Sequence, residues 1–210
     1  MLFARFDPPV LVGIAVALVV GITFHEFSHA LVADQLGDHR PRALGRVSLN
    51  PLRHLDPVGA VFFLIAGFGW GRPVPVNAYA LRPGRVGLTM VALAGPLANF
   101  VVAAVVAVLF RVLQLVGLLD AVFPHEVVVL VVYFNLVLGL FNLIPIPPLD
   151  GYNVVLPLLP PRQAFVVQRY AQYGFLALLA LLVLSYGPGS GPLGWLFGLA
   201  SGIAGLMLGA

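Results

Sequence analysis

The sequence predicts an all-α polytopic membrane protein, with about five transmembrane helices, a short re-entrant or interfacial segment and a small β element. Three observations predict it. The 210 residues are 60% hydrophobic and only 9% charged, where an ordinary soluble domain carries around 25% charged residues. Mean hydropathy is +1.03, and the apolar residues gather into runs of the length a bilayer needs, about 20 residues each. The basic residues are all arginine and fall between those runs, as loops on one membrane face require. There is no cysteine, which excludes disulfides and thiolate metal ligands and leaves His, Asp and Glu for any metal. With charge so sparse, the net +3 sets membrane orientation and not nucleic-acid binding.

The first run, Val10–Leu36, is long enough to cross with some tilt; Pro8 and Pro9 suit its start and Gly37 its end. Asp7 and the two prolines separate Arg5 from it, so it reads as a retained span and not a cleaved leader. Inside it stands His25-Glu26-Phe27-Ser28-His29, an H-E-x-x-H motif expected by chance in this composition only about 0.001 times. Ionisable groups within an apolar helix are expensive and are kept there for function. On a helix His25 and His29 share one face and can hold one zinc ion, while Glu26, about 100° round, is placed for proton transfer. Catalytic zinc usually has three protein ligands, so the rest of the chain must supply one.

Asp38–Pro57 is the most polar stretch, with Arg40, Arg42, Arg46 and Arg53. Within it Ala43–Leu49 alternates as a short strand does, Arg46 and Ser48 against Val47 and Leu49, an edge on which an extended substrate could pair. Val58–Trp70 is apolar but too short for an ordinary span, which predicts a re-entrant or interfacial segment. Gly71–Pro83, with Pro73 and Pro75, reads as irregular structure at the interface. Val86–Leu109 spans again and contains Ala94-Gly95-Pro96-Leu97-Ala98-Asn99, whose small residues admit a neighbouring helix and whose Asn99 needs a partner, expected to be structural. Leu118–Glu126 is a loop. Val127–Ile146 spans and runs into Asn142-Leu143-Ile144-Pro145-Ile146-Pro147-Pro148-Leu149-Asp150-Gly151, where three prolines break the helix. Broken backbone at membrane depth is tolerated where it lines a cavity, and Asp150 on this break is the expected third ligand. Val166–Leu184 and Leu193–Leu208, separated by Gly187–Pro192, are two further spans without a metal ligand. Residues 1–210 thus read as one membrane domain, a zinc-binding core over 10–151 followed by two spans over 166–208.

Arginine placement sets the orientation. With the N-terminus outside, Arg40, Arg42, Arg46, Arg53, Arg72, Arg82, Arg85, Arg162 and Arg169 all face the cytoplasm, and only Arg5 and Arg111 lie opposite. This predicts a multi-pass protein of the cell membrane, its active site toward the cytoplasmic side and its C-terminus on that same side.

The zinc motif, the Asn50–Pro57 segment (Asn50-Pro51-Leu52-Arg53-His54-Leu55-Asp56-Pro57), the Ala94–Asn99 segment and the stretch from Asn142 to Gly151 together resemble the site-2 protease family of intramembrane zinc metalloproteases, in its short bacterial type without a PDZ or CBS domain. The resemblance covers the chain from the first span to Gly151. It implies a protease that hydrolyses a peptide bond in or near a transmembrane segment of another membrane protein, in regulated intramembrane proteolysis. His25, His29 and Asp150 would bind Zn2+ and Glu26 would be the general base. Asn142 would hold the substrate backbone or stabilise the oxyanion, and His54 would either support the site or cap a loop. Two rival readings are a proteolytically silent membrane scaffold of the same fold and a metal transporter. Retention of Glu26 disfavours the first, and the confinement of the ionisable groups to one depth disfavours the second.

Overall fold

The computed structural model describes residues 7–66, 69–82, 84–118, 125–185 and 191–209. The helices are α1 (Pro8–Gln35), α2 (Arg40–Ala43), α3 (Pro57–Ala66), α4 (Arg85–Leu115), α5 (His125–Asn142), α6 (Asp150–Val155), α7 (Pro161–Tyr170), α8 (Gly174–Ser185) and α9 (Gly194–Leu208). Four stretches are long and apolar enough to cross a membrane: Val10–Gln35, Arg85–Leu115, His125–Asn142 and Pro161–Ser185. Gly194–Leu208 is apolar but shorter.

The core is a packed trio of α1, α4 and α5. Prolines at the first turn of α1 need no intrahelical partner for their missing N–H, and Gly37, at φ +112°, ends the run beyond Leu36. Along α1 every fourth residue from 13 is buried: Gly13, Ala17, Gly21, His25, His29 and Ala33. This ridge meets α5 through its glycines. A Cβ on Gly13 would lie 2.6 Å from Leu130 Cδ1, and one on Gly21 3.3 Å from Asn135 Oδ1. The same pairs show that α1 and α5 run parallel. On α4, Val91 lies beside His29 and Asn99 beside His25, so α4 runs antiparallel to both. Four-residue spacing on facing helices is ridge-into-groove packing, and small residues let it close.

Beyond α1 the chain folds over the end of the trio. Asp38 is almost wholly buried and receives Arg40 Nε at 2.9 Å, Arg40 Nη2 at 2.8 Å and the Asn77 backbone N–H at 2.7 Å. The Arg40 guanidinium is the main cause that holds its carboxyl down at about 2. Residues 38 and 77 are thereby tied together across the intervening loop. The ten-residue α3 is too short to cross and the chain doubles back from it. A Cβ on Gly59 would sit 2.2 Å from the Trp70 carbonyl oxygen.

The expected β element at Ala43–Leu49 is absent. Ala43 closes α2, Gly45 turns at φ +69°, and the Arg46 N–H bonds back to Pro41 O at 2.8 Å. Residue alternation there comes from consecutive turns and not from a pleat. Among the described residues the β pairing consists of one isolated antiparallel bridge, Leu55 with Gly71.

The second correction concerns the C-terminus. Arg111, near the end of α4, donates to Met207 O at 3.0 Å and to Leu206 O at 3.3 Å. The end of α9 therefore lies beside the end of α4, on the face where α1 begins, and not with the arginine-rich loops. Gly174, at the start of α8, packs on Pro147 at the opposite end, where its Cβ would lie 2.5 Å from the proline. Leu193 N–H donates to Ser185 Oγ at 3.3 Å and so joins the two apolar helices. Joined in this way, α8 and α9 lead from the Pro147 end of the trio to the Arg111 end. The chain lacks cysteine, so single thiols can report this directly. A Leu118→Cys thiol and a Cys appended after Ala210 should react with an impermeant maleimide from one side of the membrane, and Tyr79→Cys from the other. Labelling of the C-terminal thiol from the Tyr79 side would refute the arrangement.

Candidate metal centre

His25 and His29 lie one turn apart on α1, both buried, with ring centroids 4.6 Å apart at 87°. Asp150 reaches them from the segment that follows α5, at the end of the trio where α1 also finishes. After α5 ends at Asn142, residues 143–149 turn back, and Asp150 opens α6 behind Leu149 in extended conformation. Gly151 makes this return possible: a Cβ there would lie 2.2 Å from Leu143 O and 2.4 Å from its carbonyl carbon. No other residue fits so close to backbone.

The three side chains present one atom each to a common point. His25 Nε2 is 3.0 Å from Asp150 Oδ2, His29 Nε2 is 3.2 Å from the same oxygen, and the two Nε2 atoms are 3.1 Å apart. Their other ring nitrogens are engaged. His25 Nδ1 donates to Asn99 Oδ1 at 2.7 Å and His29 Nδ1 to Val91 O at 2.7 Å. With Nδ1–H so fixed, neutral rings turn Nε2 lone pairs toward a carboxylate oxygen. Three acceptors at such distances can share a bound cation between them. Donor–zinc bonds of about 2.0–2.1 Å in a tetrahedron give ligand separations of about 3.3 Å, so the spacing and the nitrogen/oxygen donor set both fit zinc. Asp150 Oδ2 is buried without a hydrogen-bond partner, as a ligand atom would be.

The surrounding polar groups orient the rings. Asn99 spends both Nδ2 hydrogens, on Gly21 O at 3.0 Å and Asn135 Oδ1 at 3.1 Å, which leaves its Oδ1 for His25. Asn135 in turn donates to Val131 O at 2.8 Å. Asn99 thus has the structural partner expected, and that partner is a histidine of the site. Asn135 and Arg46 are the groups sequence reasoning missed. A lone Asn at the middle of an apolar run was the available signal for the first.

Glu26 lies on the adjacent face of α1, half-buried, its Oε2 buried without a hydrogen bond and 3.8 Å from Arg46 Nη2. Asn142 is placed at the end of α5, where Nδ2 donates to Leu138 O at 3.0 Å, so one of its two amide hydrogens is spent within the helix. His54 does not join the ligand atoms. It is fully buried, its Nε2–H donates to Ser48 O at 2.6 Å, and burial pushes its pKa down, which keeps it neutral. It supports the loop beside Glu26.

Comparison with known proteins gives the family. The model of Peptidase family M50 matches residues 121–185. YwhC of Bacillus subtilis (strain 168) is 38% identical over 183 residues, 83% of this chain and 81% of that protein. The chain belongs to peptidase family M50. Rip2 of Mycolicibacterium smegmatis is 32% identical over 182 residues (82% and 68% of the two chains), and Rip2 of Mycobacterium tuberculosis H37Rv is 32% identical over 199 residues (90% and 71%). The names of all three contain the words zinc metalloprotease. No solved structure matches. As an M50 member the protein is a zinc metalloprotease of the site-2 type, and its metal is Zn2+.

Partners that fix a ligating imidazole are worth about 10–100-fold in metal affinity. Asn99→Leu should therefore weaken zinc binding by about that factor in competition with a chromogenic chelator, with helix content unchanged. Wild-type affinity would show that Asn99 only packs.

Proposed function

We propose that this M50 protease cleaves a peptide bond in or near a transmembrane segment of another membrane protein, with His25, His29 and Asp150 as its zinc ligands and Glu26 as its general base. The convergence of His25 Nε2, His29 Nε2 and Asp150 Oδ2 within 3.2 Å, with Glu26 next in sequence to the first, carries this reading. Zinc, when bound, supplies Lewis-acid polarisation of the scissile carbonyl and lowers the pKa of water toward about 7. Glu26 takes the proton of the attacking water and returns it to the leaving amine; its unpaired Oε2 is free to do so. Asn142 keeps one amide hydrogen with which to hold a substrate carbonyl. The apolar walls of the trio exclude bulk water, which strengthens each of these interactions.

A substrate helix has its peptide groups hydrogen-bonded to one another, so it must unwind locally before a carbonyl can reach the site. Regulated intramembrane proteolysis is the process in which such a reaction acts. The cell membrane is the proposed location, and the active site opens toward the cytoplasm. Described arginines support that side: nine lie at the His54 and Asp150 end of the trio, and Arg111 lies at the other. Residues 10–151 form the proposed zinc-binding core, and α8 with α9, read as one last crossing in two pieces, would complete a single membrane domain.

Glu26→Gln separates the roles. It should retain one zinc per chain by metal analysis and lose at least about 100-fold in cleavage of a model transmembrane substrate. A zinc-loaded Glu26→Gln protein that cleaves at the wild-type rate would exclude Glu26 as the base.

A further inference from the structure

Arg46 is buried to 6% exposure, within ion-pair distance of the side chain proposed to move the proton. Its position follows from the turns that replace the expected strand. Gly45, at φ +69°, reverses the chain after α2, and the side chain of the next residue enters the loop interior. There Nη2 donates to the carbonyl oxygen of Arg72 and Nη1 to that of Pro73 at 3.2 Å. Arg46 Nη2 is 3.8 Å from Glu26 Oε2, the one carboxylate within ion-pair distance among the described residues, and Arg46 Nε has no hydrogen-bond partner. A buried guanidinium with one distant counter-charge is costly to the fold, so packing alone does not account for it.

The segment it grips lies against Glu26. Gly71 forms the bridge with Leu55, and the Arg72 N–H donates to His54 O at 2.7 Å. A Cβ on Gly71 would lie 2.8 Å from Ile22 Cγ2 and 3.3 Å from Glu26 Oε1. Residues 71–73 are therefore a backbone strap across the Glu26 face of α1. One planar fork bonds the strap at two carbonyls while its charge faces the carboxylate.

We propose that Arg46 is a positioning residue of this protease: it clamps the 71–73 strap over Glu26 and orients the Glu26 carboxylate by charge. The separation of 3.8 Å is part of the device. A direct bidentate pair would occupy the lone pairs that the base needs, whereas a charge just beyond hydrogen-bond range orients the carboxylate and leaves Oε2 open. Arginine is required because lysine, a point charge, cannot bond two carbonyls in one plane.

This inference rests on Glu26 as the base, and the test separates the two. The full chain in lipid nanodiscs is assayed on a model transmembrane substrate as wild type, Arg46→Met, Arg46→Lys, Glu26→Gln and, as a control on the exposed face of α7, Arg162→Met. Zinc content and hydrogen exchange at the Arg72 amide are measured alongside. Arg46→Met should lower kcat about 100-fold, with KM changed less than about threefold and zinc still one per chain, because misplacing a catalytic group costs turnover more than binding. Arg46→Lys should recover about tenfold of that loss, since the charge returns without the fork. The Arg72 amide should exchange faster in both, and Arg162→Met should match wild type. A zinc-loaded Arg46→Met with wild-type kcat would overturn the proposal. If Arg46→Met fails to fold, Arg46→Lys decides: wild-type kcat and Arg72 exchange would overturn it. Equal cleavage by wild type and Glu26→Gln would instead refute the role of Glu26, and the clamp with it.

Discussion

The close contact of α4 with the histidine pair of α1 is the constraint on which the rest depends. Val91, Gly95 and Asn99 recur at four-residue intervals on α4, opposite His29 and His25 at the same interval on α1. The outer two supply the acceptors that fix the Nδ1–H groups. The middle one must be glycine, because a Cβ there would lie 2.4 Å from His29 Nε2 and 2.7 Å from His25 Cε1. A side chain at residue 95 would thus sit where the ligand atoms converge. Pro96 follows, buried within the same helix, and removes one backbone donor beside the site. Asp150 approaches over a second glycine, Gly151, where backbone meets backbone. The candidate metal centre is shaped by two missing side chains as much as by the three that converge.

Membrane burial explains why its polar groups form a closed chain. Apolar surroundings raise the cost of any unpaired donor or acceptor, so His25, Asn99, Asn135 and Val131 O satisfy one another in sequence. Exceptions gather around the chemistry. Among the described residues Thr23 Oγ1, Glu26 Oε2, Asp150 Oδ2, Arg46 Nε and His54 Nδ1 are buried without hydrogen-bond partners. The proposed metal coordination would account for Asp150, and the proposed proton transfer for Glu26. Orphaned polar atoms concentrated beside one helix face are the electrostatic mark of a working site.

The three side chains that converge, His25, His29 and Asp150, were legible in the sequence because their spacing and surroundings are local: H-E-x-x-H on one helix, and an Asp-Gly after a proline-broken helix in an apolar setting. The apolar runs gave the long helices for the same reason. What was not legible depends on packing between distant segments. Ala43–Leu49 alternates, but period-two alternation over seven residues also arises in successive turns, and Gly45 at positive φ marks the difference only once the backbone is known. Arg46 looked like one of several loop arginines; its burial depends on carbonyls 26 and 27 residues away. Hydrophobicity identified α8 and α9 as membrane segments, yet only the contact of Arg111 with Leu206 and Met207 shows on which face the second ends.

The central claim is a zinc ion held by two imidazoles and one carboxylate, contributed by two segments 121 to 125 residues apart. Zinc K-edge X-ray absorption on the purified, zinc-loaded protein tests it most directly. The account predicts multiple-scattering features of two imidazoles, oxygen or nitrogen neighbours at about 2.0–2.1 Å and no sulfur shell. It also predicts that Asp150→Ala weakens zinc retention and alters the oxygen shell while any metal still bound keeps its two imidazoles. A spectrum with one imidazole or none, or a coordination shell unchanged in Asp150→Ala, would contradict it.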